Sequence, residues 1–453
     1  MDVLGIKRAA EKALNGRSPR DNSEMRPRRS WAYLRFVLRS AGFPACGFTE
    51  LSSSVFHWLA RNWGLESPQN PQTGMSALRV PDMVRPAHHS EVRPPIVPVA
   101  LSSRLEYECG ELVPHLTKTM KYLAALMIVA TLAFGQKALA GDWVVYDGKE
   151  GPGKGKHIVF VTGDEEYRSE EGMPMLAKIL SERHGFNCTV LFALNPQDGT
   201  IDPNNQTNIV GLKALETADM MVILARFREP SDDQMKYVVD FVNSGKPILG
   251  LRTATHSFAF SRNKTSPYAK FDWSSKEWPG GFGRQVLGDT WINHHGNHGK
   301  ESTRGVINEA FKGHSILKGV EDIWGPTDVY GVVHLPKDSD ILVYGQVLEG
   351  MKPTDKPLEG KKNDPMMPLI WVRHFTGEAG KSSPVIATTM GAATDLQNEG
   401  LRRLLVNACY WGLGLEARIP AKSNVDYVGD YKPSSFGFGG FKKGVKPSDH
   451  ELK

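Results

Sequence analysis

Residues 247–258 read PILGLRTATHSF, which is an apolar strand, a sharp turn and the start of a helix. Three similar apolar runs lie upstream, at 157–162, 188–194 and 219–225, and stretches with helical spacing separate them. None of the four runs alternates apolar with polar residues, which is typical of strands buried on both faces of a parallel sheet. We therefore predict an α/β fold: a doubly wound, mostly parallel sheet with helices on both faces.

The same pattern continues toward the C-terminus. Further strands and a closing helix are predicted at 339–347, 369–375, 385–390 and 396–413. The stretch 261–303 has no clear period and is rich in Gly, Trp, His and Asn, so we interpret it as a functional insertion. The tail at 416–453 is rich in Gly, Pro and aromatic residues and has no core of its own. It either lies over the domain surface or is disordered.

The first 140 residues differ from the rest. Residues 1–119 contain 16 basic and 11 acidic residues, so they account for the whole formal charge of +5. A basic start, the apolar run 122–134 and the small residues Ala138 and Ala140 predict a signal peptide at 120–140, cleaved after Ala140. The apolar run is too short to cross a bilayer. Residues 1–119 are then either a mis-assigned start or a disordered leader.

Export would place the mature protein in the periplasm or outside the cell, with no membrane anchor after cleavage. The mature part carries 37 basic and 39 acidic residues, which argues against a nucleic-acid partner or binding to a membrane surface. Its two cysteines, Cys188 and Cys409, are predicted to be buried free thiols rather than a disulfide. No CxxC pair is present, which excludes a structural zinc site of that kind.

Several segments occur in an order that points to a known family. They are TGDEEYRSEEGMPMLAKIL (162–180), PILGLRTATHSFAF (247–260), GHSILKGV (313–320), PLIWVRHF (368–375) and LRRLLVNACYWGLGLE (401–416). Across roughly residues 155–415 the chain resembles the ThuA-like, or trehalose-utilisation, family. The resemblance implies a class I glutamine amidotransferase-like fold, a flavodoxin-like three-layer sandwich. It also implies a role in carbohydrate metabolism, with a disaccharide or keto-sugar hydrolysed or modified.

The resemblance also excludes one activity. Amidotransferases of this fold have a nucleophilic Cys at the turn after this strand, where the present chain has Arg252. A guanidinium stays protonated and offers no lone pair for attack, so the chain is not a glutamine amidotransferase. Arg252 either binds a carboxylate, a phosphate or sugar hydroxyls of a ligand, or forms a salt bridge within the protein to Glu165 or Glu166. A non-catalytic sugar-binding domain that lost its nucleophile is the alternative function.

Other candidate residues follow from the strand ends, where ligands bind in such sheets. Candidate catalytic residues are Arg252, His256, Glu165, Glu166 and Asp328. Candidate substrate contacts are Arg252, Tyr167, Arg226, Trp291, His295 and Tyr330. His256 is either a general base or a core histidine. Trp291 either stacks on a sugar ring or packs the insertion onto the domain.

The insertion contains the densest histidine cluster. His294, His295 and His298 lie within five residues, and such a set can bind a divalent metal ion. The alternative is hydrogen bonding to sugar hydroxyls or within the fold, and the nearest upstream carboxylate is Asp289. No other cofactor is expected. The Gly-rich run 436–440 is not a phosphate loop, because it does not join a strand to a helix.

Overall fold

The computed structural model describes residues 141–452, so the predicted leader and signal peptide lie outside the described residues. Within that range the chain forms a ten-stranded sheet and three α-helices, joined by short 3-10 and π turns. The strands are β1 (Trp143–Tyr146), β2 (His157–Gly163), β3 (Asn187–Leu191), β4 (Met220–Ala225), β5 (Ile248–Leu251), β6 (Thr303–Ile307), β7 (Trp324–Gly325), β8 (Asp340–Val347), β9 (Met367–Thr376) and β10 (Ser382–Thr388). The helices are α1 (Ser169–His184), α2 (Asp232–Val242) and α3 (Glu399–Gly412).

The sheet is mixed rather than parallel throughout. Its strand order is β1-β3-β2-β4-β5-β10-β9-β8-β6-β7. The five strands from β3 to β10 in this order are parallel, whereas β1 and the strands beyond β10 pair antiparallel. The predicted parallel arrangement therefore describes the central strands only. Because few residues connect β9 to β10, the two strands must run antiparallel, since a parallel connection needs a dozen residues or more.

Helices cover both sides of the parallel strands. Side chains from β2 alternate between two hydrophobic clusters: Ile158 and Phe160 belong to one, and Val159 and Val161 to the other. The first cluster also contains the buried faces of α1 and α3, and the second contains that of α2. Cys188 and Cys409 are both buried and free, so the predicted free thiols are confirmed. Between residues 141 and 452, no helix is long and apolar enough to cross a membrane.

The C-terminal tail lies against the domain. Tyr431 donates a hydrogen bond from its hydroxyl to the carbonyl of Ala393, at 2.7 Å. Six residues further on, the backbone N–H of Gly437 donates to the carbonyl of Glu166, at 2.8 Å. The Gly- and Phe-rich part of the tail is thereby held at the loop that follows β2, which is one of the strand ends predicted to form the site.

Candidate functional site

A sharp turn after β5 forms the centre of the site. β5 ends at Leu251, and Arg252 has a φ of 45°, in the left-handed region that non-glycine residues rarely adopt. A short 3-10 helix, Arg252–His256, follows directly. The predicted strand–turn–helix junction is therefore present. Such a backbone conformation costs about 1–3 kcal/mol and persists only where the surroundings hold it.

Arg252 is held by a fully buried ion pair with Asp328. Its Nη2 lies 2.9 Å from Asp328 Oδ1, and neither side chain is exposed. Nη1 donates to the carbonyls of Asp328 and Thr389, at 2.6 and 2.8 Å, and Nη2 also donates to the Tyr167 hydroxyl at 3.2 Å. These four bonds use all four terminal N–H groups of the guanidinium. Arg252 thus fixes Asp328, and its terminal nitrogens have no hydrogen left to donate to a ligand.

The carboxylates that follow β2 pair with other arginines. Glu165 forms ion pairs with Arg226 and Arg228, and Glu166 Oε2 lies 3.5 Å from Arg226 Nε. Of the two alternatives for Arg252, the salt bridge to Glu165 or Glu166 is therefore wrong. The reason is the strand order: both arginines follow β4, which lies between β2 and β5 in the sheet. Burial raises the pKa of Glu166, although Arg226 opposes that effect.

Asp328 also holds two histidines of the insertion. His294 Nδ1 lies 2.7 Å from Asp328 Oδ2, and His298 Nδ1 lies 3.0 Å from Oδ1. Burial alone would raise the pKa of Asp328, but Arg252 and the hydrogen bonds from the two histidines outweigh it and lower the pKa. Asp328 is consequently an ionised carboxylate, and it orients both imidazole rings through Nδ1.

The second nitrogen differs between the two rings. In the described part of the chain, nothing hydrogen-bonds to His294 Nε2, and the side chain is 32% exposed. His298 Nε2 lies 3.4 Å from Glu166 Oε1. The hydrogen bond to Asp328 raises the pKa of His298, against the opposing effect of burial. His294 Nε2 is therefore open to a ligand, while His298 Nε2 lies within ion-pair distance of Glu166.

His295 does not join this group. Its Nε2 lies 2.8 Å from the carbonyl of Lys362, so the prediction that His294, His295 and His298 form one ligand set is wrong. The histidine cluster at 294–298 contains no carboxylate of its own, and Asp328 provides one from a different part of the chain. Asp289, the nearest upstream acid, bonds instead to His334 at 3.1 Å.

One set of side chains could bind a metal ion. The candidate ligand atoms of His294, His298 and Asp328 all lie within 4.8 Å of one another. Two imidazoles and a carboxylate suit zinc or another divalent transition metal. A cation here would share the Asp328 carboxylate with the guanidinium of Arg252, which reduces the negative charge available to it.

His256 lies in an aromatic environment under the site. It is 3% exposed, and its ring centroid lies 5.0 Å from that of Phe227, 5.5 Å from Trp291 and 6.2 Å from Tyr330. Burial, reinforced by nearby positive charge, lowers the pKa of His256 well below its usual range. A neutral, enclosed imidazole supports the ring of Trp291, and its role as a base stays a prediction.

Aromatic rings surround the polar centre. Trp291 and Tyr330, both predicted contacts, lie 5.9 and 5.3 Å from the ring of His294. Phe436 of the tail stacks on Tyr167, with ring centroids 5.9 Å apart. Phe436 was not among the predicted contacts, because the short run FGFGG has no sustained helical or strand pattern and because Tyr167 lies far away in sequence.

Comparisons with known proteins give weak likenesses only. No family model matches this chain, and no curated protein matches it. Among solved structures, it is similar to a putative ThuA-like protein from Parabacteroides merdae, with 13% identity, a TM-score of 0.38, and 57% of this chain and 90% of that chain covered. A second, from Bacteroides uniformis, has 14% identity and a TM-score of 0.36, covering 58% and 93%. The glutaminase domain of Trypanosoma brucei CTPS has 11% identity and a TM-score of 0.27, covering 59% and 98%. The structural neighbours of this chain thus include proteins described as ThuA-like, at low sequence identity.

Proposed function

We propose that this protein is an exported carbohydrate-active enzyme that hydrolyses or otherwise modifies a disaccharide or keto-sugar, with His294 as its general base. The supporting observation is the buried Asp328 carboxylate, 2.7 Å from His294 Nδ1. A carboxylate at Nδ1 keeps the proton there and leaves the lone pair on Nε2. A module that only binds sugar needs no such pair, so the pair favours an enzyme over the non-catalytic alternative.

In a hydrolysis, His294 Nε2 accepts a proton from water as the water oxygen bonds to the anomeric carbon. The bond from that carbon to the leaving sugar oxygen breaks, and this oxygen takes a proton from the pair formed by Glu166 and His298. Burial raises the pKa of Glu166, and the bond to Asp328 raises that of His298, so the pair retains a proton more readily than free side chains do. Base and acid are thus separate groups with different environments.

The surroundings suit a sugar. A pyranose has apolar faces and a rim of hydroxyls, which match aromatic rings and convergent polar groups respectively. Trp291 supplies a ring beside His294, Glu166 supplies a carboxylate beside His298, and Arg226 lies next to Glu166. The family resemblance in the sequence favours the same substrate class, and the predicted signal peptide favours export.

The test is turnover of disaccharides. We would incubate the protein with trehalose, maltose, cellobiose and their keto forms and separate the products by chromatography. Turnover of at least one sugar is expected, and His294→Ala is expected to lower kcat by about 10²- to 10⁴-fold. His295→Ala is the matched control, because its ring bonds to Lys362 instead. Absence of turnover for every sugar and keto form would rule out the proposed carbohydrate-active enzyme, and an unchanged kcat in H294A would rule out His294 as the base.

A metallohydrolase is the second candidate, supported by the convergence of His294, His298 and Asp328. A divalent ion there would lower the pKa of a bound water and supply the nucleophile. Elemental analysis of protein purified without an affinity tag separates the two candidates. Stoichiometric metal that is lost in His298→Ala, together with activity that a chelator abolishes, would favour the metal. Activity that is indifferent to chelator, in protein without stoichiometric metal, would exclude it.

A further inference from the structure

Phe438 is an aromatic side chain that the catalytic proposal does not use. At 65% relative exposure it is the most exposed large hydrophobic side chain in the described residues. A single exposed apolar side chain is ordinary, but this one has a fixed neighbour. The guanidinium carbon of Arg226 lies 5.0 Å from the centre of the Phe438 ring and 4.6 Å from that of Phe227.

The residues just before Phe438 are fixed to the site. Gly437 donates its N–H to the Glu166 carbonyl at 2.8 Å and accepts a hydrogen bond from Arg168 at its own carbonyl. Its φ of 125° is a conformation that glycine adopts readily and other residues do not. Phe436 packs 5.4 Å from the ring of His298. The tail thus holds Phe438 at the edge of the polar centre, on the Arg226 side.

We propose that Phe438 forms a second carbohydrate subsite, on which one ring of a neutral di- or oligosaccharide stacks while the neighbouring ring lies beside Trp291 and His294. This inference rests on the proposed function. The phenyl ring offers a flat apolar face, and Arg226 offers hydroxyl partners beside it. Arg226 Nη1 faces Glu165 and Arg226 Nε faces Glu166, while Arg226 Nη2 has no partner in the part of the chain that the structure describes.

Charge selects a neutral ligand over a phosphorylated one. Next to Phe438, two arginines face two carboxylates: Arg226 and Arg228 pair with Glu165 and Glu166. At the centre, Arg252 is matched by Asp328 in the same way. Arg168, which has no carboxylate partner in the described chain, and Arg228 are both buried, so the arginine that a ligand can reach is Arg226, and it is already paired with Glu165 and Glu166. A sugar phosphate would therefore meet no unpaired cation at this surface, whereas an uncharged sugar would lose little by displacing water from it.

The test compares one-ring and two-ring sugars. Isothermal titration calorimetry would give the Kd of glucose, maltose, cellobiose and trehalose for the unmodified protein, Phe438→Ala and Phe438→Trp. F438A is expected to weaken disaccharide binding about tenfold and to leave glucose within about twofold, while F438W retains disaccharide affinity. Val145→Ala is the matched control, because Val145 is 51% exposed on the edge strand β1.

The outcomes separate this inference from the proposed function. Disaccharide binding that is unchanged in F438A would overturn the second subsite and leave the proposed function intact. Equal weakening of glucose and disaccharide would also overturn it, since Phe438 would then act on the first ring. If the unmodified protein bound none of the four sugars, the subsite would fall, while the proposed function would be overturned only if the turnover test also failed with every sugar and keto form.

Discussion

Glu170, in the first turn of α1, should make the protein less stable as pH rises. Its side chain is buried, and neither carboxyl oxygen has a hydrogen-bonding partner in the described residues. Burial raises the pKa of Glu170 from its ordinary 4.5 to about 8, although Arg168 opposes part of the effect. Between those two values the folded chain binds a proton that the unfolded chain does not, so stability is full below pH 4.5 and falls as pH rises toward 8.

The magnitude follows from the difference between the two pKa values. Each pKa unit corresponds to about 1.4 kcal/mol, so the free energy of unfolding should fall by about 3–5 kcal/mol across that range through this one group. Glu170→Gln keeps the shape and stays neutral. The free energy of unfolding of the variant should therefore differ from that of the parent by a constant near pH 4.5. Between pH 4.5 and pH 8 this difference should grow in favour of the variant.

Urea unfolding followed by circular dichroism at pH 5, 6, 7 and 8 would measure this. The quantity to compare is the difference in unfolding free energy between Glu170→Gln and the parent at each pH, because other groups cancel in it. Glu182→Gln is the matched control, since Glu182 is an exposed carboxylate on the same helix. A difference that stays constant over the whole range would refute the reasoning, as would an equal trend in E182Q.

Three further predictions concern the charges of the site. Arg252→Met should lower the free energy of unfolding by about 3–5 kcal/mol, because it leaves Asp328 buried without its cation. Urea unfolding measures this loss. The double variant that also carries Asp328→Asn should lose less unfolding free energy than the sum of the two single losses. Asp328→Asn should lower the pKa of His298 in an NMR titration, since the bond to Asp328 is the main cause of its raised value; an unchanged pKa would contradict that assignment. Glu165→Gln should cost about 3–5 kcal/mol on the same urea scale, because Arg228 is fully buried and loses its only carboxylate partner in the described chain; a loss under about 1 kcal/mol would count against it.

The central strands could be predicted from the sequence because they are uninterrupted apolar runs. β2, β3, β4 and β5 were all expected at close to their observed positions. The three missed strands have weaker signals. β1 alternates buried and exposed residues over four positions, β6 has one buried residue followed by four that are only partly buried, and β7 has only two residues. Strand direction beyond β10 was missed for another reason, since direction depends on connections and not on the composition of a strand.

The sequence predicts which loops form the site, but it does not predict which side chains pair with one another there. The strand order decides which arginine reaches Glu165, and that order is a tertiary property with no local signal. Similarly, His294 and His295 are adjacent in sequence, yet one ring bonds to Asp328 and the other to Lys362. Composition identified the histidine-rich insertion, while only the folded backbone decides which of its rings face the centre.

An arginine at the turn after β5 changes what that turn does. A side chain at this point, with its φ of 45°, is directed by the backbone to the middle of the strand ends. A short nucleophile would act there itself, whereas Arg252 is long and uses its terminal N–H groups to hold Asp328, Thr389 and Tyr167. In the proposed mechanism the reacting group is consequently His294, which Arg252 positions through the Asp328 carboxylate that lies between them. A turn without a nucleophile is therefore compatible with catalysis, because Arg252 holds Asp328. Asp328 in turn orients His294 and His298, the two histidines of the insertion that take part in the proposed mechanism.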